Sequence, residues 1–321
     1  MSPLARLSGL AAAGLLFACA PAPASLPAAP VAAGPGIAVT AIPVPLNPAR
    51  PDETRLGAFT YAGGLALSSS ETARFHGLSD LVVDADQQIT AITDEGDLIE
   101  GRLVLDAAGR LTGMTDVRLS PMAGLDGRPL PNKAASDAEG LAVLPGGDRL
   151  VSFEHQARIW LYPAAGGPPR PAPQPEVDFP PNGGMEALAH DPERGADAYV
   201  VGGEDSGETW LCRLSAPCVP GPAVNKGREF GLVALRRLPG DQTAYLLRAW
   251  DPARGSRIIL TIQGPAGEAG RLELARPYTV DNFEGVDFVP RPEGGYRIYL
   301  VSDDNFQSSQ RTLLLAFDWT P

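Results

Sequence analysis

A unit of sequence recurs five times along this chain, and this repetition constrains the fold more than any other feature. Each unit opens with a short apolar run, and successive units begin roughly 45–65 residues apart. Second and third apolar runs follow, separated by turns such as Pro-Gly-Gly-Asp and Pro-Glu-Gly-Gly. The five openings are His76–Val83, Asp137–Val143, Gly184–Ala189, Phe230–Leu235 and Asn282–Phe288.

These runs have the composition of β-strands. They are short, rich in Val, Ile, Leu and aromatic residues, and bounded by Gly and Pro, and we find no amphipathic helix among them. Repeated meanders of three or four strands indicate an all-β fold, a β-propeller with five recognisable blades. The N-terminal strands Val39–Leu46 and Leu56–Ser68 are expected to complete the last blade, with a sixth blade within Gly101–Ser136 as the alternative. A β-sandwich, the rival architecture, would not account for the repetition.

The N-terminus predicts export. Residues 1–18 read as a signal peptide, because one positive charge precedes the apolar run Leu7–Phe17, which is too short to span a bilayer. The run ends in Leu-Phe-Ala-Cys, which resembles a lipoprotein processing box and predicts lipid attachment at Cys19; cleavage within Ala20–Ala24 is the alternative. Residues 19–36 form an Ala/Pro-rich tether and residues 37–321 the folded domain. We therefore expect an outer-membrane lipoprotein facing the periplasm, or a periplasmic protein if Cys19 is not lipidated.

Cysteine usage and charge narrow the functional classes further. Cys212 and Cys218 are six residues apart, and in an oxidising compartment this spacing predicts a local disulfide. A zinc site would need more soft ligands than two cysteines. The net charge is −12 and the pI about 4.7, which argues against nucleic-acid binding because phosphate recognition needs a basic surface.

Acidic residues stand at both ends of the repeated unit. Neighbouring strands of a blade are antiparallel, so the start of the first strand and the end of the second lie on one face. The acids should therefore meet at one mouth of the channel, with Asp80 and Asp94 as a looser pair. Mutually repelling carboxylates are either protonated or neutralised by a cation, and hard oxygen ligands suit Ca²⁺ or Mg²⁺. The alternative is that each acid braces its own blade, since no compact Ca²⁺ loop is present. The predicted metal ligands are Glu139, Glu154, Glu186, Glu284 and Asp303.

Two strings carry a family resemblance. Asp-Ala-Glu-Gly-Leu-Ala at Asp137–Ala142 and Ser-Asp-Asp-Asn-Phe at Ser302–Phe306 resemble the family described as esterase-like activity of phytase, and the likeness extends over about residues 55–320. The resemblance implies a β-propeller-like fold and a phosphoesterase or esterase activity. The chain departs from the family where an Arg often follows the second-strand acid, because Glu95 and His155 stand there. Fewer arginines weaken recognition of phosphate.

The functional prediction is a metal-assisted hydrolase, with Ca²⁺ as the expected ion, that acts on a phosphoric or carboxylic ester. No Gly-x-Ser-x-Gly motif supports a serine esterase. His76, His155 and Arg248 are predicted to orient the substrate. The alternative is a non-catalytic envelope propeller that binds a peptide, glycan or protein partner around a structural cation. In either case we expect a monomer whose ligand is a small-molecule ester or an envelope component, with membrane contact through Cys19.

Overall fold

The computed structural model describes residues 35–321, which form an all-β propeller. Five antiparallel sheets surround a channel, and the first strands of neighbouring sheets contact one another in a closed ring. The predicted propeller is confirmed. The predicted signal peptide, Cys19 and most of the predicted tether lie outside the described residues.

Each blade is a meander that starts at the channel and ends at the outer edge. Three strands precede the first blade: β1 (Thr40–Pro43), β2 (Arg55–Leu56) and β3 (Phe59–Ser68). Blade 1 comprises β4 (Leu78–Val83), β5 (Gln88–Thr93), β6 (Asp97–Leu105) and β7 (Leu111–Pro121). The helix α1 (Lys133–Ser136) leads to blade 2, with β8 (Ala138–Val143), β9 (Arg149–Phe153), β10 (Arg158–Tyr162) and β11 (Arg170–Pro171).

The remaining blades follow the same order. Blade 3 comprises β12 (Ala187–His190), β13 (Ala198–Gly202), β14 (Thr209–Arg213) and β15 (Ala216–Pro220). Blade 4 comprises β16 (Gly231–Leu238), β17 (Gln242–Asp251), β18 (Gly255–Gly264) and β19 (Gly267–Leu274). Blade 5 takes β20 (Asn282–Pro290), β21 (Tyr296–Asp303) and β22 (Leu313–Trp319) from the C-terminus.

The N-terminal strands complete blade 5 and so close the ring. Strand β3 pairs antiparallel with β22, with Leu65 opposite Leu314, and β1 then pairs with β3. This is the closure predicted from the sequence. Within residues 35–321 there is no sixth blade, because the stretch 101–136 supplies the end of β6, strand β7, a loop and α1. Joining both ends of the chain in one sheet protects the strand edges that an open ring would expose.

The core consists of apolar layers between neighbouring blades. Five clusters of buried side chains occur, one at each blade interface. Between blades 2 and 3, for example, Leu150 packs in one cluster with Leu188 and Tyr199. A blade therefore buries both faces only when it has a neighbour on each side, which is the physical reason for the repetition.

A buried ion network joins all five blades inside the channel. The guanidinium of Arg236 in blade 4 donates to Asp80 of blade 1 (2.8 Å) and Asp287 of blade 5 (3.2 Å). It also donates to the Leu188 carbonyl of blade 3 (3.0 Å), while Asp80 accepts from the Leu141 N–H of blade 2 (2.9 Å). Asp80 is thus part of this network and does not join Asp94 among the residues that line the mouth.

Two further features concern the sequence predictions. The disulfide between Cys212 and Cys218 is present and links β14 to β15, as predicted. Among residues 35–321, no helix has the length and hydropathy needed to cross a membrane.

Candidate metal centre at the channel mouth

Every blade places a charged residue at or near the end of its second strand, and these five side chains meet at one end of the channel, called the mouth below. The side chains line a cavity of about 300 Å³. Four are acidic and the fourth blade supplies the exception, an arginine. In blade order they are Asp94, Glu154, Glu204, Arg248 and Asp303.

Three glutamates reach the same cavity from the first strands. Glu139 lies in β8, Glu186 directly precedes β12, and Glu284 lies in β20. With Asp137, the mouth is lined by eight carboxylates, against the cations Lys133 and Arg248. All five predicted metal ligands lie here, together with His155 and Arg248 from the predicted substrate-orienting set.

Arg248 neutralises the side of the mouth formed by blades 3 to 5. Its Nη1 donates to Asn282 Oδ1 (2.6 Å) and to Glu284, and its Nη2 donates to Glu204 Oε1 (3.0 Å). Burial alone would lower the pKa of this guanidinium, but Glu284, Glu186 and Glu204 outweigh it and raise the pKa. Arg248 therefore keeps its charge, and its donors are committed to the chain's own acids.

Glu154 and Asp303 are partly occupied by backbone donors. Glu154 Oε1 accepts from the N–H groups of Gly183 (2.5 Å) and Gly184 (2.8 Å), which joins blade 2 to the loop before β12. Asp303 Oδ1 accepts from the Asn305 N–H (2.7 Å). Burial still raises the pKa of the Glu154 carboxyl, and it raises that of Asp303 to about 6. These two acids lie in the mouth as predicted, and they also make the bracing hydrogen bonds that were the alternative interpretation.

A second cation occupies the side formed by blades 1 and 2. Lys133 Nζ, from α1, donates to Asp94 Oδ2 (2.6 Å) and forms an ion pair with Asp137. Burial nevertheless raises the pKa of Asp94 to about 7, with Lys133 opposing the shift. The other oxygen of Asp137 lies 3.2 Å from His155 Nε2, so Asp137 orients the imidazole at the rim.

Glu139 and Glu186 are the acids that the rest of the chain does not satisfy. They are only 9% and 7% exposed, yet no described residue donates a hydrogen bond to either carboxylate. Burial raises the pKa of Glu139 well above its ordinary value, and repulsion from Glu186 and Glu284 adds to the shift. Burial, followed by repulsion from Glu204 and Glu284, does the same for Glu186. Two buried carboxylates facing one cavity without donors lack the compensation that buried acids normally have.

The donor set fits a hard cation. Carboxylate oxygens of Asp137, Glu139 and Glu154 lie within 4.8 Å of one another, and such oxygens are the ligands that Ca²⁺ and Mg²⁺ prefer. A divalent ion beside Glu139 would supply the positive charge that Arg248 and Lys133 supply on the other two sides. The residues present therefore fit a divalent cation bound by Asp137, Glu139 and Glu154, with Glu186 lining the same cavity.

His76 is the predicted site residue that does not line the mouth. Its ring packs against Phe306 with centroids 3.7 Å apart, and its Nδ1 is buried without a partner among the described residues. Burial is the main cause that lowers the pKa of this imidazole. The structure thus places His76 beside the mouth, in an aromatic contact.

Several residues that line the mouth were not among the predicted site residues, including Lys133, Asp137, Asn182 and Asn305. Asp137 stands two positions before Glu139 at the start of a repeat unit, and this position could have identified it. Lys133 gave no comparable signal, because it lies in the irregular stretch before blade 2. Only the fold brings its ammonium to Asp94.

Comparisons with known proteins agree with this picture over part of the chain. A family model described as phytase-like, esterase-like activity of phytase, matches residues 73–202. Among solved structures, a candidate gluconolactonase is 15% identical, with 92% of this chain and 93% of that chain covered and a TM-score of 0.45. A virginiamycin B lyase from Staphylococcus aureus is 8% identical, with 88% and 99% covered and a TM-score of 0.45. At such scores these two likenesses carry no argument about fold or activity. No curated protein matches the chain.

The matched segment contains blades 1 and 2 and the first two strands of blade 3. It includes Asp94, Asp137, Glu139, Glu154 and Glu186, which form one half of the mouth. The resemblance inferred from the sequence is therefore confirmed over residues 73–202, which match the family described as esterase-like activity of phytase.

Proposed function

We propose that this protein is an ester hydrolase, acting on a phosphoric or carboxylic ester at the channel mouth with a divalent cation, Ca²⁺ in the first instance. The observation that carries the proposal is the pair Glu139 and Glu186, two buried carboxylates that face one cavity without donors. The phytase-like match over residues 73–202 supports the class of reaction.

When bound, such a cation would polarise the ester and lower the pKa of a coordinated water. The chain's own residues supply the remaining functions. His155 Nε2 lies 3.2 Å from Asp137 at the rim, which places the imidazole where it could exchange a proton with a bound substrate. Arg248, fixed by Glu204 and Glu284, offsets the negative charge of that side of the mouth and so reduces the repulsion that an anionic group of the substrate would meet there.

The test begins with the metal content of the purified protein and its thermal melting in EDTA and in Ca²⁺. At a concentration of free Ca²⁺ about 100 times Kd, binding to the folded state stabilises by about 2.7 kcal/mol, or roughly 4–5 °C in Tm for a domain of this size. We expect this shift in the wild type and in Glu293→Gln, a surface control, and its loss in Glu139→Gln combined with Glu186→Gln. Hydrolysis of p-nitrophenyl phosphate or p-nitrophenyl acetate should then depend on Ca²⁺.

A second candidate function is a non-catalytic binding propeller with a structural cation. It is favoured by the braces that Glu154 and Arg248 form between blades and by the lining of the mouth, to which the described residues contribute no serine, threonine or cysteine. A bound ion that raises Tm without any ester hydrolysis would select this function. If neither an ion nor a shift in Tm is found, the cation proposal fails.

The proposal includes export as a monomer, with a lipid anchor at Cys19. The Cys212–Cys218 disulfide supports an oxidising compartment. Incorporation of labelled palmitate into the wild type but not into Cys19→Ser is the expected result. Labelling of neither would contradict the lipid anchor.

A further inference from the structure

A groove lies beside the mouth, on the side formed by blades 4 and 5. Its volume is about 830 Å³, large enough for a ligand of several rings. It is lined by Trp250 from the end of β17 and by the segment 305–311, which follows β21. Both strand ends belong to the set that forms the mouth, so the groove opens on the same face of the propeller.

Trp250 is the most informative residue of this groove. Its side chain is 65% exposed, whereas Trp210 and Trp319 are 7% and 1% exposed and pack between blades. An indole offers a large apolar face that a folded chain normally covers. The packing of the blades therefore does not account for Trp250, and an indole held at the wall of a groove provides a flat platform for a ring.

The polar lining identifies the kind of ring. Amide side chains surround the platform, and amides both donate to and accept from hydroxyl groups. A sugar ring presents polarised C–H groups that pack on an indole face and hydroxyls at its edge that such amides bind. The amides that make no side-chain hydrogen bond within the described chain are those of Asn305, Gln307 and Gln310, whereas Asn282 is held by Arg248 and Glu284.

Two arginines add positive charge to the groove. Arg276 is exposed, and no carboxylate of the described chain lies within ion-pair distance of it. Arg311 contacts Asp281 through Nε only (3.3 Å), which leaves its terminal nitrogens available. The planar fork of a guanidinium matches a carboxylate in bidentate geometry. A carboxylate is favoured over a dianionic phosphate, because Asp281 and the acidic mouth repel additional negative charge.

The groove is continuous with the mouth. A smaller cavity of about 410 Å³ shares Trp250 and Asn305 with the groove, and it shares Glu204 and Arg248 with the mouth. A ligand of several sugar units could therefore occupy the groove with one end close to Arg248. This arrangement is common for extended ligands of enzymes, which bind along a cleft next to the reacting group.

We propose that this groove binds an acidic saccharide, with one sugar ring on Trp250, its hydroxyls on the surrounding amides and its carboxylate on Arg276 and Arg311. The inference goes beyond the hydrolase proposal and does not depend on it. Binding in the groove needs neither the cation nor turnover, so its test can be run in EDTA.

The probe is trigalacturonate, with maltotriose as the neutral ligand and glucose 6-phosphate as the phosphorylated one, titrated in EDTA by calorimetry and tryptophan fluorescence. We expect trigalacturonate to bind and to quench fluorescence, with maltotriose at least tenfold weaker. Trp250→Ala should weaken binding at least tenfold and Arg276→Gln several-fold. Trp250→Phe should keep most of the affinity, and Val219→Ala, an exposed apolar control on blade 3, should leave it unchanged.

Several results would overturn the inference. These are the absence of trigalacturonate binding at 10 mM, binding that Trp250→Ala leaves unchanged, and preference for maltotriose or glucose 6-phosphate over trigalacturonate. Because both EDTA and the Glu139→Gln variant leave the groove intact, failure of the cation site would show as lost Ca²⁺ stabilisation with saccharide binding retained. Failure of the groove proposal would show as retained Ca²⁺ stabilisation without saccharide binding.

Discussion

Replacing Asp94 by Asn should stabilise the protein at pH 8 in the absence of divalent cations. Asp94 lies at the mouth with its Oδ1 buried and unpartnered, and it faces Lys133, Asp303 and Asp137. Burial raises the pKa of this carboxyl from 3.8 to about 7, despite the ion pair with Lys133. The ionised form of Asp94 is therefore less compatible with the folded state than the protonated form, which Asn resembles.

The size of the effect follows from linkage. Between pH 4 and 7 the folded state holds a proton on Asp94 that the unfolded state has lost, so the stability falls as the pH rises through this window. The difference between a pKa of about 7 and 3.8, at about 1.4 kcal/mol per unit, gives about 4 kcal/mol at pH 8. Water at the rim makes this an upper bound. At pH 4 or below, where Asp94 is protonated in the folded state, Asn should change the stability little.

Urea denaturation of the wild type and Asp94→Asn in EDTA, at pH 4, 6 and 8, measures this difference directly. Asp52→Asn, at an exposed turn, is the control for removal of a negative charge. The stabilisation by Asn should grow with pH and exceed that of the control. Destabilisation at pH 8, or an effect that does not vary with pH, would refute the reasoning, because it would mean that Lys133 stabilises the ionised Asp94 by more than burial costs.

Three other sets of substitutions test the contacts that stabilise the blades and their packing around the channel. Arg236→Met should destabilise by about 3–5 kcal/mol in urea denaturation, because it leaves the buried carboxylates of Asp80 and Asp287 without a partner. Adding Asp80→Asn should recover part of the lost stability. An unchanged stability of Arg236→Met would mean that the network does not stabilise the fold. Cys212→Ser with Cys218→Ser should cost about 2 kcal/mol, and reduction of the wild type should cost the same; a wild type unaffected by reductant would contradict this. Gly140→Ala should cost about 1–3 kcal/mol, since a Cβ there would lie 2.5 Å from the Glu186 carbonyl; the control Gly113→Ala meets nothing closer than 3.6 Å and should be tolerated.

Much of the fold could be predicted because its signals are local. The turn residues and apolar runs of Arg149–Phe153 and Arg158–Tyr162, for instance, coincide with strands β9 and β10. The closure by N-terminal strands followed from topology, since a ring of repeated sheets must be closed by strands from the two ends of the chain. The convergence of acids at the mouth followed from antiparallel pairing within each blade. Asp80 did not follow this rule, because its partner Arg236 lies in another blade, 156 residues away.

The sequence by itself determined the repeat, the strand pattern and the set of acids that face one end of the channel, because these depend on neighbours along the chain and on pairing inside one blade. Only the tertiary structure decided which of those acids are compensated. Arg248 reaches Glu204 and Glu284, Lys133 reaches Asp94, and Glu139 is left without a donor. Charge compensation acts over a few ångströms between side chains from different blades, and the arrangement of those blades around the channel sets these distances.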